Sequence, residues 1–144
     1  MNIEELLRAP KIIVTPQERP WKWRRDGRYY KTSLKLALEE KPEIVLDLHI
    51  ICAVHSGKVS IALIWNRTER IYGIDIGEKQ RHINTTKRIY GPHKHIGDNT
   101  YRIDTSTFQD AWTMLCEDCN INYDGMPELP QECKHGQGDL YDDL

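Results

Sequence analysis

The sequence predicts an α+β fold: an antiparallel β-meander packed by a C-terminal amphipathic helix, with a short N-terminal helix and a mobile acidic tail. Three observations point to it. Between Ile44 and Ile76 apolar and polar residues alternate in runs separated by turn-forming residues. Between Phe108 and Cys119 the apolar residues recur at helical spacing instead. After Asp124 the composition shifts to Gly, Pro and acids. The boundaries that follow are one α+β domain over 1–124 and a flexible acidic tail over 125–144.

Residues 2–8 suit a short helix, because Asn2 can cap it, Ile3, Leu6 and Leu7 share a face, and Pro10 closes the segment. Residues 9–30 hold three prolines and no clean period, which predicts a loop with extended pieces at Ile12–Val14 and Arg28–Lys31. Around Leu34, Leu36 and Leu38 the alternation favours a strand while Ala37 and Glu39–Lys41 favour a helix. Residues 44–54, 59–65 and 70–76 are the three strands of the meander, turned at His55–Lys58 and at Asn66–Glu69. Two short strands, 93–96 and 100–103, flank Gly97-Asp98-Asn99. Ser106, with Gln109 three residues on, predicts a capping box for the last helix. Phe108, Ala111, Trp112, Leu115 and Cys119 make its apolar stripe.

Of 144 residues, 39% are apolar and 29% charged, and no run approaches the 18 or so apolar residues of a membrane span. The start, MNIEELLRAP, carries two glutamates and no apolar run longer than a pair, unlike a secretory signal. Four cysteines are too few to demand a disulfide framework in a chain of this size, so a cytoplasmic protein with reduced thiols is expected. The net charge of -2 is unevenly placed. From Glu117 onward eight acidic residues face the single Lys134, leaving 19 of the 20 basic and 14 of the 22 acidic residues in 1–116. A basic body suits a polyanionic partner.

Two segments suit chemistry on such a partner. Within Trp21–Lys31, five cations and four aromatics are interleaved. Bases stack on indole and phenol rings while Arg and Lys hold phosphates, so Trp21, Trp23, Arg24, Arg25, Arg28 and Tyr29 are candidate contacts to single-stranded nucleic acid. If the same aromatics plug the core, the cations merely line the surface. The second segment holds His82 and, eleven residues later, His93-Lys94-His95. On a strand, His93 and His95 share a face, and two imidazoles can divide the work of base and acid. Arg81, Arg88 and Lys94 could hold phosphate or the charge that develops on it. The same histidines with Asp75 also offer a divalent-metal set, a lesser reading than the acid–base one, or are only surface residues of a polar loop. Cys116-x-x-Cys119 with Cys133-x-His135 lacks the geometry of a zinc knuckle, and no phosphate loop, nucleophile elbow or HExxH occurs.

Arg70-Ile71-Tyr72-Gly73-Ile74-Asp75-Ile76, then His82, then Gly91-Pro92-His93-Lys94-His95-Ile96-Gly97-Asp98 resembles the TumE family of toxin–antitoxin toxins. Phe108, Trp112 and Cys119-Asn120-Ile121 also resemble the closing helix of an uncharacterised family of small bacterial and phage proteins. The likeness covers about 70–121. It implies a small toxin acting on RNA or translation, partnered by a helix-turn-helix antitoxin, with Asp75, His82, His93, Lys94 and His95 carried over as site residues.

The leading expectation is therefore a toxin-like endoribonuclease of a bacterial or phage defence module, without cofactor or metal. His82, His93 and His95 would act as acid and base, and Asp75 would orient a histidine. One alternative is a non-catalytic phage or mobile-element inhibitor that binds a nucleic-acid-processing protein through its acidic tail. Another is a metal-dependent hydrolase built on the histidine cluster.

Overall fold

Apolar alternation lays most of the chain out as strands. The computed structural model describes residues 1–14, 21–77, 81–84 and 87–134, with the backbone alone over 81–84 and 87–90. It contains α1 (Ile3–Arg8), β1 (Lys11–Ile13), β2 (Arg24–Asp26), β3 (Tyr29–Leu38), β4 (Val45–Ala53), β5 (Val59–Trp65) and β6 (Glu69–Ile76). There follow β7 (Arg81–Asn84), β8 (Lys87–Tyr90), β9 (His93–Ile96), β10 (Asn99–Arg102), α2 (Phe108–Asp118), β11 (Ile121–Asn122) and α3 (Gln131–Lys134). The result is a mixed α+β protein with a large, mostly antiparallel sheet and few short helices.

The sheet has nine strands in the order β10-β9-β6-β5-β4-β3-β1-β11, with β2 also paired to β3; β7 and β8 form a separate two-stranded ribbon. Among the described residues, all pairings are antiparallel except β1 with β11. The ambiguous segment around Leu34–Leu38 is strand. Leu34, Leu36 and Leu38 are buried while Ser33 and Lys35 are exposed, a period of two that outweighs the helix preference of Leu, Lys and Ala.

Successive side chains alternate between the two faces of this sheet. One face carries Leu36, Leu46, Leu48, Ile50, Cys52, Ile61, Leu63, Tyr72 and Ile74, all buried in a core shared with Leu6 and Leu7 of α1 and Phe108, Ala111, Trp112 and Leu115 of α2. Thr107, one residue after the expected Ser106, caps α2 by accepting the Asp110 N–H at 3.2 Å. At α1, Asn2 Oδ1 accepts the Glu5 N–H at 2.8 Å while Glu5 reaches back to the Asn2 N–H, a complete capping box. Asn2→Ala should therefore cost about 1 kcal/mol in urea unfolding, and an unchanged midpoint would show that this helix is held by packing alone.

The acidic segment is not loose from residue 125 onward. Leu129 and Cys133 are buried, Trp112 Nε1 donates to Gly125 O at 3.1 Å, and Trp23 Nε1 donates to Glu128 O at 2.9 Å. Glu132 accepts from Arg25 and from the Tyr30 hydroxyl, each at 2.6 Å. The packed body thus extends to Lys134, ten residues beyond the boundary expected at 124, because two indole donors and two buried side chains hold it. The remainder of the expected tail, 135–144, lies outside the described residues. Among the described residues, no helix is long and apolar enough to cross a membrane.

Candidate functional site

The second face of the sheet carries a polar cluster. On it Ser60 of β5 lies across from Asp75 of β6, Asp75 across from His93 of β9, and His95 across from Thr100 of β10. The pairing sets a polar row across four strands. His95 faces Gly73, a position without a side chain, and leans diagonally along β6 to Asp75.

Asp75 is the hub. His95 Nε2 lies 3.0 Å and His93 Nε2 3.1 Å from its Oδ2, and the Ser60 hydroxyl donates to its Oδ1 at 2.5 Å. The imidazoles meet edge to face, with centroids 4.8 Å apart. Both are almost fully buried, at 2% and 3% exposure, while about a fifth of the Asp75 side chain is open to solvent. Each ring is held from behind as well. His93 Nδ1 sits 3.0 Å from Gly91 O and His95 Nδ1 3.2 Å from the Thr100 hydroxyl. A carbonyl can only accept, so His93 Nδ1 carries its proton and Nε2 is the atom turned to Asp75.

Burial alone would push the Asp75 carboxyl up. The bonds from His93, His95 and Ser60 outweigh it and hold the group well below the usual carboxylate range. Asp75 in turn raises His93, against the opposing effects of burial and the nearby Arg70 charge. The cluster is therefore a carboxylate that favours positive charge on the buried His93 imidazole beside it.

Several expected residues stand elsewhere. Lys94, between the two histidines, must point to the opposite face by the same period that unites them, and its ammonium pairs with Asp118 at 2.9 Å. Arg81, His82 and Arg88 lie on β7 and β8, with His82 across from Ile89, where the backbone alone is described. The Trp21–Lys31 mixture is sorted by alternation. Trp21 and Trp23 pack against the core, Trp21 standing edge-on to Trp112 at 5.3 Å and to Tyr123 at 6.0 Å. Arg25 is engaged by Glu132 and lies over the Tyr30 ring. Arg28 and Tyr29 are exposed.

Arg24 points the other way. With Lys22, Lys31, Ser33, His49 and Ile51 it lines a cavity of about 500 Å³ over β2, β3 and β4. Lys31 is shared with Asp26 at 3.2 Å. Ile51 lies directly across from Ser60, the residue that holds Asp75, so this cationic groove and the Asp75 cluster occupy one face of one sheet. Strand spacing puts β3 on the order of 14 Å from β6. A larger cavity of about 890 Å³ lies between α1, the β9–β10 turn and the end of α2. Its lining includes Ile3, Leu7, Asp98, Glu117 and Asp118, and it contains none of the three cluster residues.

Lys22 and Lys31 fall inside the cation-rich segment Trp21–Lys31, whereas Ser60, Thr100 and His49 were not legible as site residues. Each depends on which strand lies beside which, and a register shift at Leu63/Ile64 makes the β5–β6 pairing unreadable from spacing alone. The cysteines form no cluster with one another and a histidine among the described residues. Instead Cys133 Sγ lies 2.7 Å from Cys52 Sγ.

No family model, curated protein or solved structure matches the chain.

Proposed function

We propose that the protein acts on RNA as a toxin-like endoribonuclease, with Asp75, His93 and His95 as its reaction centre. Lys22, Arg24, Lys31 and His49 would hold the phosphate chain leading into that centre. The observation that carries this reading is the shared face: a cationic groove and a buried carboxylate–imidazole cluster, joined through the Ile51–Ser60 pair. Flexible single strands suit such a surface, since they can follow a groove that a duplex cannot enter. Cleavage through the 2′-hydroxyl forms a bond from the 2′ oxygen to phosphorus and breaks the bond from phosphorus to the 5′ oxygen. The 2′ proton leaves to a base, and a proton reaches the departing oxygen. The resemblance of 70–121 to TumE toxins supports the same reading and brings a helix-turn-helix antitoxin as the partner. Because both Nε2 atoms meet at one oxygen, the geometry favours a centre acting as one unit over two imidazoles flanking the phosphate from opposite sides.

Induced expression in a bacterial host, with growth and total RNA followed together, tests this. Wild type should arrest growth and degrade RNA, and His93→Ala/His95→Ala should do neither. A folded double variant that remains fully toxic would refute the assignment. For the groove, Lys22→Glu/Arg24→Glu should weaken binding of a single-stranded RNA at least tenfold. It should also flatten the dependence of log K on log salt by about 0.7 for each phosphate that the variant no longer neutralises.

A further inference from the structure

We propose that Asp75 Oδ2, His93 Nε2 and His95 Nε2 are the ligands of one divalent first-row transition-metal ion. It deepens the RNA reading by naming a cofactor for the same centre, yet its evidence is independent of any substrate.

The donor set comes first. Two imidazole nitrogens and one carboxylate oxygen suit zinc, iron(II) or cobalt(II) and disfavour calcium and magnesium, which take oxygen ligands. Three protein ligands also leave coordination positions open, as catalytic rather than structural sites do.

Convergence comes second. The three atoms lie within 4.8 Å of one another, and the oxygen is 3.0 and 3.1 Å from the two nitrogens. Donors bonded to one tetrahedral ion at about 2.0–2.1 Å stand roughly 3.3 Å apart. Two contacts are already close to that spacing.

The supporting hydrogen bonds come third. Metal-binding histidines characteristically hand the other ring nitrogen to a carbonyl or another polar group, and ligating carboxylates are hydrogen-bonded in turn. His93 Nδ1 meets Gly91 O, His95 Nδ1 meets Thr100 Oγ1, and Asp75 Oδ1 accepts a hydrogen bond from the Ser60 hydroxyl. Every ligand is thus oriented from outside the triad with its donor atom turned inward. An ion bound there would act as a Lewis acid toward a phosphoryl oxygen.

The test is titration of chelator-treated, full-length protein with Zn²⁺ by calorimetry and with Co²⁺ by visible absorption. Wild type should bind one ion per chain, with cobalt bands lacking the intense thiolate charge-transfer absorption. Binding should be lost in His95→Asn, and Thr100→Ala should bind 10–100-fold more weakly. If His95→Asn does not fold, the wild-type stoichiometry, the cobalt spectrum and the Thr100→Ala affinity decide. No saturable binding by wild type would overturn the proposal, as would cobalt bound through thiolate. Metal binding without RNA cleavage would sink only the RNA reading, and RNA cleavage that survives chelation in a protein that takes up no ion would sink only the metal.

Discussion

Lys11→Met should lie within about 1 kcal/mol of wild type at pH 7 and fall about 3 kcal/mol behind it near pH 10.5. Lys11 is fully buried, and its ammonium donates to three carbonyls: Leu7 at 2.9 Å, Ala9 at 2.8 Å and Cys119 at 2.5 Å. Those bonds tie the end of α1 to the end of α2, and deleting the donor orphans three acceptors at roughly 1 kcal/mol each. Burial also lowers the Lys11 pKa from 10.5 to about 8, only partly opposed by Cys119. Holding that charge in the fold at pH 7 therefore costs about 3 kcal/mol, which nearly offsets the bonds it makes. Between pH 8 and 10.5 the unfolded chain binds more protons at this position than the folded one, so Lys11 makes stability rise with pH across that window. Buried Cys52, Cys119 and Tyr72, all pushed up by burial, act in the opposite direction. Cys52 and Tyr72 are common to both proteins and cancel, whereas Cys119 is coupled to Lys11, so the difference reports Lys11 together with its effect on Cys119. Urea unfolding of the pair at pH 7, 8.5 and 10.5 measures it, and a constant gap would show that Lys11 titrates normally in the fold.

The same contrast between local pattern and tertiary partner decides how much of the molecule could be read from its sequence. Strands β4, β5 and β6 were legible because one of their faces is apolar throughout. The same period of two correctly places His93 and His95 together, and applied once more it would have removed Lys94 from their company. It also sorts Trp21 and Trp23 from Lys22 and Arg24, a separation that a count of cations and aromatics conceals. Other features carry no local signal. Ser60 beside Asp75, Thr100 beside His95 and the burial of Lys11 arise from strand neighbours far apart in sequence. Residues 125–134 read as a tail because Gly, Pro and acids dominate them. Their order comes from Leu129 and Cys133 beneath them and from indole donors contributed by Trp23 and Trp112.

Those indoles lead to the largest effect expected of a single substitution. Trp112→Ala should cost about 3–5 kcal/mol, on the order of a 10 °C fall in Tm for a chain of this length. Trp112 is 4% exposed, packs in the core beside Phe108, and stands edge-on to Trp21 and Tyr123 while its Nε1 holds the Gly125 carbonyl. Truncation leaves a cavity, removes two edge-on aromatic pairings and strips a donor from the chain entering 125–134. It also acts on the groove. Trp21 is the inward anchor of the segment whose outward residues are Lys22 and Arg24, and it is fixed by Trp112 and by its bond to the Tyr123 hydroxyl at 3.1 Å. Without that anchor the two cations lose their position over β3 and β4. If the proposed RNA reading holds, single-stranded RNA should then bind Trp112→Ala several-fold more weakly at a temperature where the variant is still folded by circular dichroism. Trp112→Phe should recover much of the stability but not the Gly125 bond. If Trp112→Ala is destabilised as expected and yet binds RNA as wild type does, the aromatic cluster is core alone and does not position the groove.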